Sequence, residues 1–163
     1  MDSIKIITLT SVMSFRGVAH RKIELDVECK GSGLKEDPYI IDKSIYSAIG
    51  GGHLELQNSK KYFIIQNCDN GVINTANIVN SQNILIEDCS FLYCNSYRSS
   101  EITYSNLIIK NSSKISHCKN IEIKNCTISK LNLKNSDSIL IKNSDVDKIK
   151  EKKSKNIILE KKS

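Results

Sequence analysis

Cys89, Cys94, His117 and Cys118 are the residues of this chain best suited to hold a soft metal ion, because thiolate and imidazole are the ligands zinc takes. Their spacing argues against it. No Cys-x-x-Cys pair occurs, and His117 adjoins Cys118, so no two ligands are set to bite one ion. The six cysteines, Cys29, Cys68, Cys89, Cys94, Cys118 and Cys126, admit disulfides by number. Cys68, Cys89 and Cys126 instead follow one recurring phrase and share one inward register, which fits reduced thiols packed as small apolar side chains. No metal and no cofactor is expected.

Cleavage of a sugar chain needs paired carboxylates facing one groove, or an Asp cluster for calcium beside a basic residue. Asp88, Asp137, Asp145 and Asp147 fall at turn or solvent positions, and Arg98 is the one Arg within the repeats. No catalytic constellation emerges, and a carbohydrate-active enzyme is the third-ranked reading.

Charge gives a stronger signal. Net charge is +6, and it is uneven. Residues 100–163 hold fourteen Lys against seven acids, net +7, while residues 1–99 carry net −1. Lys110, Lys124 and Lys142 follow the recurring phrase at one position and are expected to stack into an outward Lys row. Such a row can follow phosphates or another polyanion. Tyr93, Tyr97, Arg98 and Tyr104 lie on what reads as a long insertion between Cys89 and Leu107, the expected recognition loop. The competing reading is that the lysines keep a β-surface soluble and block edge pairing.

The elements that must position these residues come from the phrase itself. Asn or Ser, then Ile-x-Ile, then Lys-Asn-Cys or Lys-Asn-Ser recurs at Asn83–Cys89, Asn106–Ser112, Asn120–Cys126 and Ser138–Ser144, with a last copy at Asn156–Lys162. Ile-x-Ile puts two branched side chains on one face of a short strand. The Asn that follows tolerates left-handed backbone and turns the chain. The turn register reads Asn67, Asp88, Asn111, Asn125, Asn143, and the next residue, Cys68, Cys89, Ser112, Cys126 or Ser144, is small. Steps between copies are 21, 23, 14, 18 and 18 residues. Strand-and-turn units at such spacing describe a solenoid with insertions at its turns, and lack the strict hexapeptide period of a left-handed β-helix.

Gly31-Ser32-Gly33-Leu34-Lys35-Glu36-Asp37-Pro38-Tyr39-Ile40-Ile41 resembles the opening of pectin-lyase-like right-handed parallel β-helix proteins, and Tyr62–Cys68 resembles a coil of that family. The repeats are most similar to those of periplasmic copper-processing and archaeal surface β-helix proteins. The resemblance implies an all-β, right-handed single-stranded parallel β-helix of about six coils over residues 31–163. It implies little about function, since this fold carries many. Residues 1–30 form the N-terminal part: a strand near Ile4–Leu9 and an alternating strand over 22–30 are expected to cover the first coil, joined by a loop over Ser14–Arg21.

No basic leader and no apolar run of membrane-spanning length is present, so a cytoplasmic location and no membrane partner are expected. Asn156, Ile157, Ile158 and Leu159 form the last strand, whose end is expected to pair with a second copy. The leading expectation is a non-catalytic scaffold or binding module that self-associates through the C-terminal coil. Polyanion or nucleic-acid binding by a Lys-rich face is the alternative.

Overall fold

A computed structural model of the chain describes residues 4–14, 17–27, 30–42, 52–69 and 73–160. Short stretches of branched side chains, each closed by a turn-forming residue, form strands here. One parallel sheet stacks β3 (Tyr39–Ile41), β5 (Phe63–Gln66), β7 (Gln82–Glu87), β9 (Ser100–Ser105), β11 (Lys119–Lys124), β13 (Asp137–Lys142) and β15 (Lys155–Glu160). A second stacks β4 (Gly52–Gln57), β6 (Ile73–Val79), β8 (Ser90–Tyr97), β10 (Ile108–Ser116), β12 (Thr127–Lys134) and β14 (Asp145–Lys152). Odd and even strands alternate along the chain, so each coil visits both sheets once. The result is a parallel β-solenoid of about six turns, with no helix among the described residues.

The core is a set of columns. Ile84, Ile102, Ile121 and Ile139 stack in one, Ile86, Tyr104, Ile123 and Ile141 in the next, and all are buried. From the even sheet, Cys94, Ser113 and Leu131 make one column and Ser96, Ile115 and Leu133 another. Tyr104 breaks the Ile column with a larger side chain. Its hydroxyl lies 2.7 Å from the Oγ of Ser96, the small residue that makes room for it.

Two corners per coil turn the chain, and both use left-handed backbone. Among the described residues sixteen non-glycine residues have positive φ, ten of them Asn, so the chain's wealth of Asn has a backbone cause. At one corner Asn67, Asp88, Asn106, Asn125 and Asn143 occupy this position, and at the other Asn58, Asn80, Arg98, His117, Asn135 and Lys153. The residue after each turn points inward. Where it is Cys or Ser, its side chain can accept the backbone N–H of its counterpart one coil earlier: Cys68 N–H to Cys89 Sγ (3.3 Å), Cys126 N–H to Ser144 Oγ (3.0 Å), Ser81 N–H to Ser99 Oγ (3.1 Å), Cys118 N–H to Ser136 Oγ (3.2 Å). These bonds satisfy amides that the sheets leave unpaired at the bends. Asn125, with φ 53°, is exposed. Asn125→Val should therefore lower stability by about 1–2 kcal/mol, and Asn125→Gly by less than about 0.5 kcal/mol, as read from urea midpoints.

The structure corrects the expected register. Leu107–Ile109 does not stack on Ile84–Ile86. Ile84 pairs with Ile102 and Ile86 with Tyr104, while Ile108 pairs with Ser90 and Thr127 across the even sheet. The turn residue of this coil is Asn106 and the inward residue Leu107, not Asn111 and Ser112. The irregular steps become coils of 18 or 19 residues from Ser81 onward. The supposed insertion between Cys89 and Leu107 is β8 and β9, an ordinary coil.

At the N-terminus, β1 (Ile4–Ser14) and β2 (Gly17–Val27) pair antiparallel as a separate hairpin, with Ile4 opposite Val27. Strand therefore replaces most of the loop expected over Ser14–Arg21. β1 runs close to β4 at the first coil. Cys29, Gly50, Gly51, Lys161 and Lys162 lie outside the described residues. Gly31 and Gly33 have positive φ, and a side chain at either would meet Pro38's carbonyl or the Tyr39 ring. Ser32 and Gly33 N–H both donate to the Asp37 carbonyl at 3.0 Å, and Tyr62 N–H donates to that of Gly33. The Gly-Ser-Gly…Asp-Pro-Tyr phrase thus seats the first strand on the second coil.

The thiols of Cys68, Cys89, Cys94, Cys118 and Cys126 are free and buried. Burial pushes the thiols of Cys94 and Cys118 up, and that of Cys126 up to about 11. A thiol that stays protonated in the folded state contributes stability that is complete below its unfolded value, about 8.5, and is lost as pH rises through the folded value. From about pH 9 to 11, Cys126 should account for up to about 1.4 kcal/mol of lost stability per pH unit. Cys126→Ala should flatten the alkaline fall of the unfolding free energy, read from urea titrations, by that amount. An equally steep fall would show that the thiol plays no part.

Candidate polyanion-binding face

Each even strand bends near its start. In β12, Ile128 and Leu131 both point inward although three residues apart, and alternation resumes only afterwards. From that bend on, Lys130, Asn132 and Lys134 face outward in β12, and Lys148, Lys150 and Lys152 in β14. Register sets Lys130 beside Lys148, Asn132 beside Lys150 and Lys134 beside Lys152. Lys114 of β10 pairs with Asn132 and carries the field one coil further. In-register neighbours lie about 4.8 Å apart, and alternate residues along a strand about 6.6 Å apart. Lys130 is half-buried and the other five lysines are exposed. Among the described residues none of the six is in an ion pair. Asp145 opens β14, and Asp147 lies at its bend beside Lys148.

The same face carries aromatic groups. Tyr93, Asn95 and Tyr97 of β8 point outward, since Cys94 and Ser96 between them are buried. Tyr97 is held in place: the Arg98 guanidinium carbon is 5.0 Å from its ring centre, and the His117 ring meets it edge-on at 5.6 Å. His117 is fixed in turn by Ser116 Oγ and Asn135 Nδ2, each at 2.9 Å. Tyr93, Tyr97 and Arg98 therefore do lie together, on a sheet face and its corner rather than a loop. Tyr104 does not join them. It is fully buried, because an odd-strand residue in that register points into the core.

The expected row of Lys110, Lys124 and Lys142 does not form. Lys124 and Lys142 are in-register neighbours on the odd sheet, but the residue before them in that row is Ser105. Glu87 and Glu160 flank this row, and Lys142 Nζ lies 3.7 Å from Glu160 Oε2. Lys110 belongs to the even sheet, at the bend where β10 carries an irregularity between Ile109 and Ser113. Lys114, Lys130 and Lys134 were the lysines that the phrase did not single out. Placing them requires the bend, which strict alternation from Ile128 would miss.

Asp88 and Asp137 serve the turns. Asp88 accepts from Asn106 Nδ2 at 3.0 Å and Asp137 from Asn156 Nδ2 at 2.8 Å, and this bond holds the Asp137 carboxyl below its ordinary range. Among the described residues no group of three or more His, Cys, Asp or Glu side chains is placed to hold a metal ion. Asn156, Ile157, Ile158 and Leu159 belong to β15, with Ile157 on Ile139 and Leu159 on Ile141. Ile158 and Leu159 are exposed, as is Ile149 of β14. Glu151, in register with Leu133, places an acid at a core position of that coil.

No protein-family model, curated protein or solved structure matches this chain.

Proposed function

We propose that the protein is a non-catalytic binding module that holds a polyanion on the outer face of its even sheet. The observation that carries this reading is the field of six lysines on β10, β12 and β14, regular in spacing and free of ion pairs among the described residues. Cations brought together cost self-repulsion that an anionic chain relieves, and release of that chain's counterions drives association. The reading includes a right-handed, pectin-lyase-like coil. Its support is the Gly31–Ile41 opening and the right-handed preference of parallel crossovers. It also includes a reducing, cytoplasmic setting, which suits five free thiols.

Self-association through the last coil is the weaker reading. Exposed Ile149, Ile158 and Leu159 favour it, but stacking would press Glu151 against an apolar layer. The test of the main reading is elution from immobilised heparin. Wild type should need more salt than a variant carrying Lys130→Gln, Lys134→Gln, Lys148→Gln and Lys152→Gln. Elution of both at the same salt would overturn it.

A further inference from the structure

We infer that the polyanion is a single-stranded nucleic acid whose bases stack on Tyr93 and Tyr97. This rests on the polyanion reading above and adds what the lysines alone do not specify. Tyr93 is 41% exposed and Tyr97 38%, on one face of one strand, roughly 13 Å apart. Exposed rings on a β-face otherwise lose contact area to water, whereas every base offers a flat face to stack on. Arg98 and His117 pin the Tyr97 ring without covering it, so little ordering remains to be done on binding. Lys114 lies one strand away, paired with Asn95 between the two tyrosines, and leads from the rings into the lysine field.

The shape selects against a duplex. Its major groove admits a helix or a two-stranded ribbon, whereas the outer face of β8, β10, β12 and β14 is a broad sheet, and the two-stranded ribbon β1–β2 runs close to β4 rather than to these strands. Bases of a single strand are already free to splay onto rings. The face also has little means of reading them. A shallow hollow of about 290 Å³ beside Tyr97 is lined by Asn77, Asn95 and Lys114 among others. Asn95 there donates to Asn77 Oδ1 at 2.9 Å and accepts Lys114 N–H at 3.0 Å, so one donor and one acceptor site of its amide are already used. Binding should therefore tolerate any base sequence.

The experiment is anisotropy of labelled oligo(dT) of twenty nucleotides, with the same oligomer as duplex and with heparin as the other probes. Because the chain has no Trp, quenching of its Tyr emission gives a second readout. Tyr93→Thr with Tyr97→Thr should weaken oligo(dT) binding about tenfold or more and leave heparin binding within about twofold. Tyr93→Phe with Tyr97→Phe should retain binding, which guards against misfolding as the cause. Wild-type Tyr emission should fall with oligo(dT) and not with heparin. Oligo(dT) affinity unmoved by the Thr pair, or a duplex bound more tightly than the single strand, would overturn the inference. Heparin binding without oligo(dT) binding would overturn it in favour of an acidic glycan while the polyanion reading survives. Binding of neither probe would overturn both.

Discussion

Replacing Tyr104 by Ala should lower the unfolding free energy by about 3–5 kcal/mol, and the loss should depend on Ser96. Tyr104 is the largest side chain fully buried in the described core, in a column otherwise made of Ile86, Ile123 and Ile141. Its extra volume is accommodated because Cys94, Ser96 and Ser113 are small where other coils carry Leu54, Ile78, Ile115, Leu131 or Leu133. The hydroxyl would be costly to bury alone, and its 2.7 Å bond to Ser96 Oγ removes that cost. Two substitutions test this compensation. Tyr104→Ile should open a cavity and orphan the Ser96 hydroxyl, at about 2–4 kcal/mol. Ser96→Ile should force its side chain against the Tyr104 ring, at about 1–3 kcal/mol. The double variant restores the Ile-on-Ile pattern of neighbouring coils and should recover at least about 1 kcal/mol relative to the sum. Urea unfolding of the four proteins reads the coupling, and strict additivity would mean the two side chains are not one packing unit.

The second large effect concerns charge placed on opposite faces. Lys134 and Lys152 are in-register neighbours on the even sheet, as Lys124 and Lys142 are on the odd sheet. Converting either pair to Gln removes the same formal charge from exposed or half-buried positions. Net charge alone would weaken polyanion binding equally in both cases. A defined face makes the effects unequal. Loss of the even pair should weaken oligo(dT) or heparin binding about tenfold, and loss of Lys130, Lys134, Lys148 and Lys152 together about a hundredfold or more. The odd pair should change affinity by less than about threefold, since Glu87, Glu122 and Glu160 share its surface and Lys142 already meets Glu160.

The coil was legible wherever the two sides of the repeat differ. Ile121-Glu122-Ile123 and Ile139-Leu140-Ile141 read as stacked strands and are stacked strands. Leu107–Ile109 misled because Asn106, a corner residue ahead of an even strand, looks like Asn83, Asn120, Ser138 and Asn156, a further set of positive-φ residues at the start of the odd strands. A stretch from the even side therefore mimics the odd side when read locally. The column Ser59, Ser81, Ser99, Cys118, Ser136 and Ser154 would have separated them, since its steps are set by backbone N–H groups that each need an acceptor from the next coil. Lysine positions were harder for a different reason. Facing depends on the bend in each even strand, and a bend shifts the alternation without any Gly or Pro to mark it. Tyr104 was misplaced because a Tyr among polar residues reads as surface. Only its register with Ile86 and Ile123 shows that it is core.

The salt dependence of oligo(dT) binding tests the even-face assignment most directly, measured for wild type, the even-face quadruple variant and the odd-face pair. Each phosphate contact contributes roughly 0.7 to the slope of log affinity against log salt for a single strand. The even-face variant should lose about 2–3 from the magnitude of that slope while the odd-face pair keeps the wild-type value. Equal slopes for all three, or the larger loss in the odd-face pair, would contradict the assignment of the polyanion to the outer face of the even sheet.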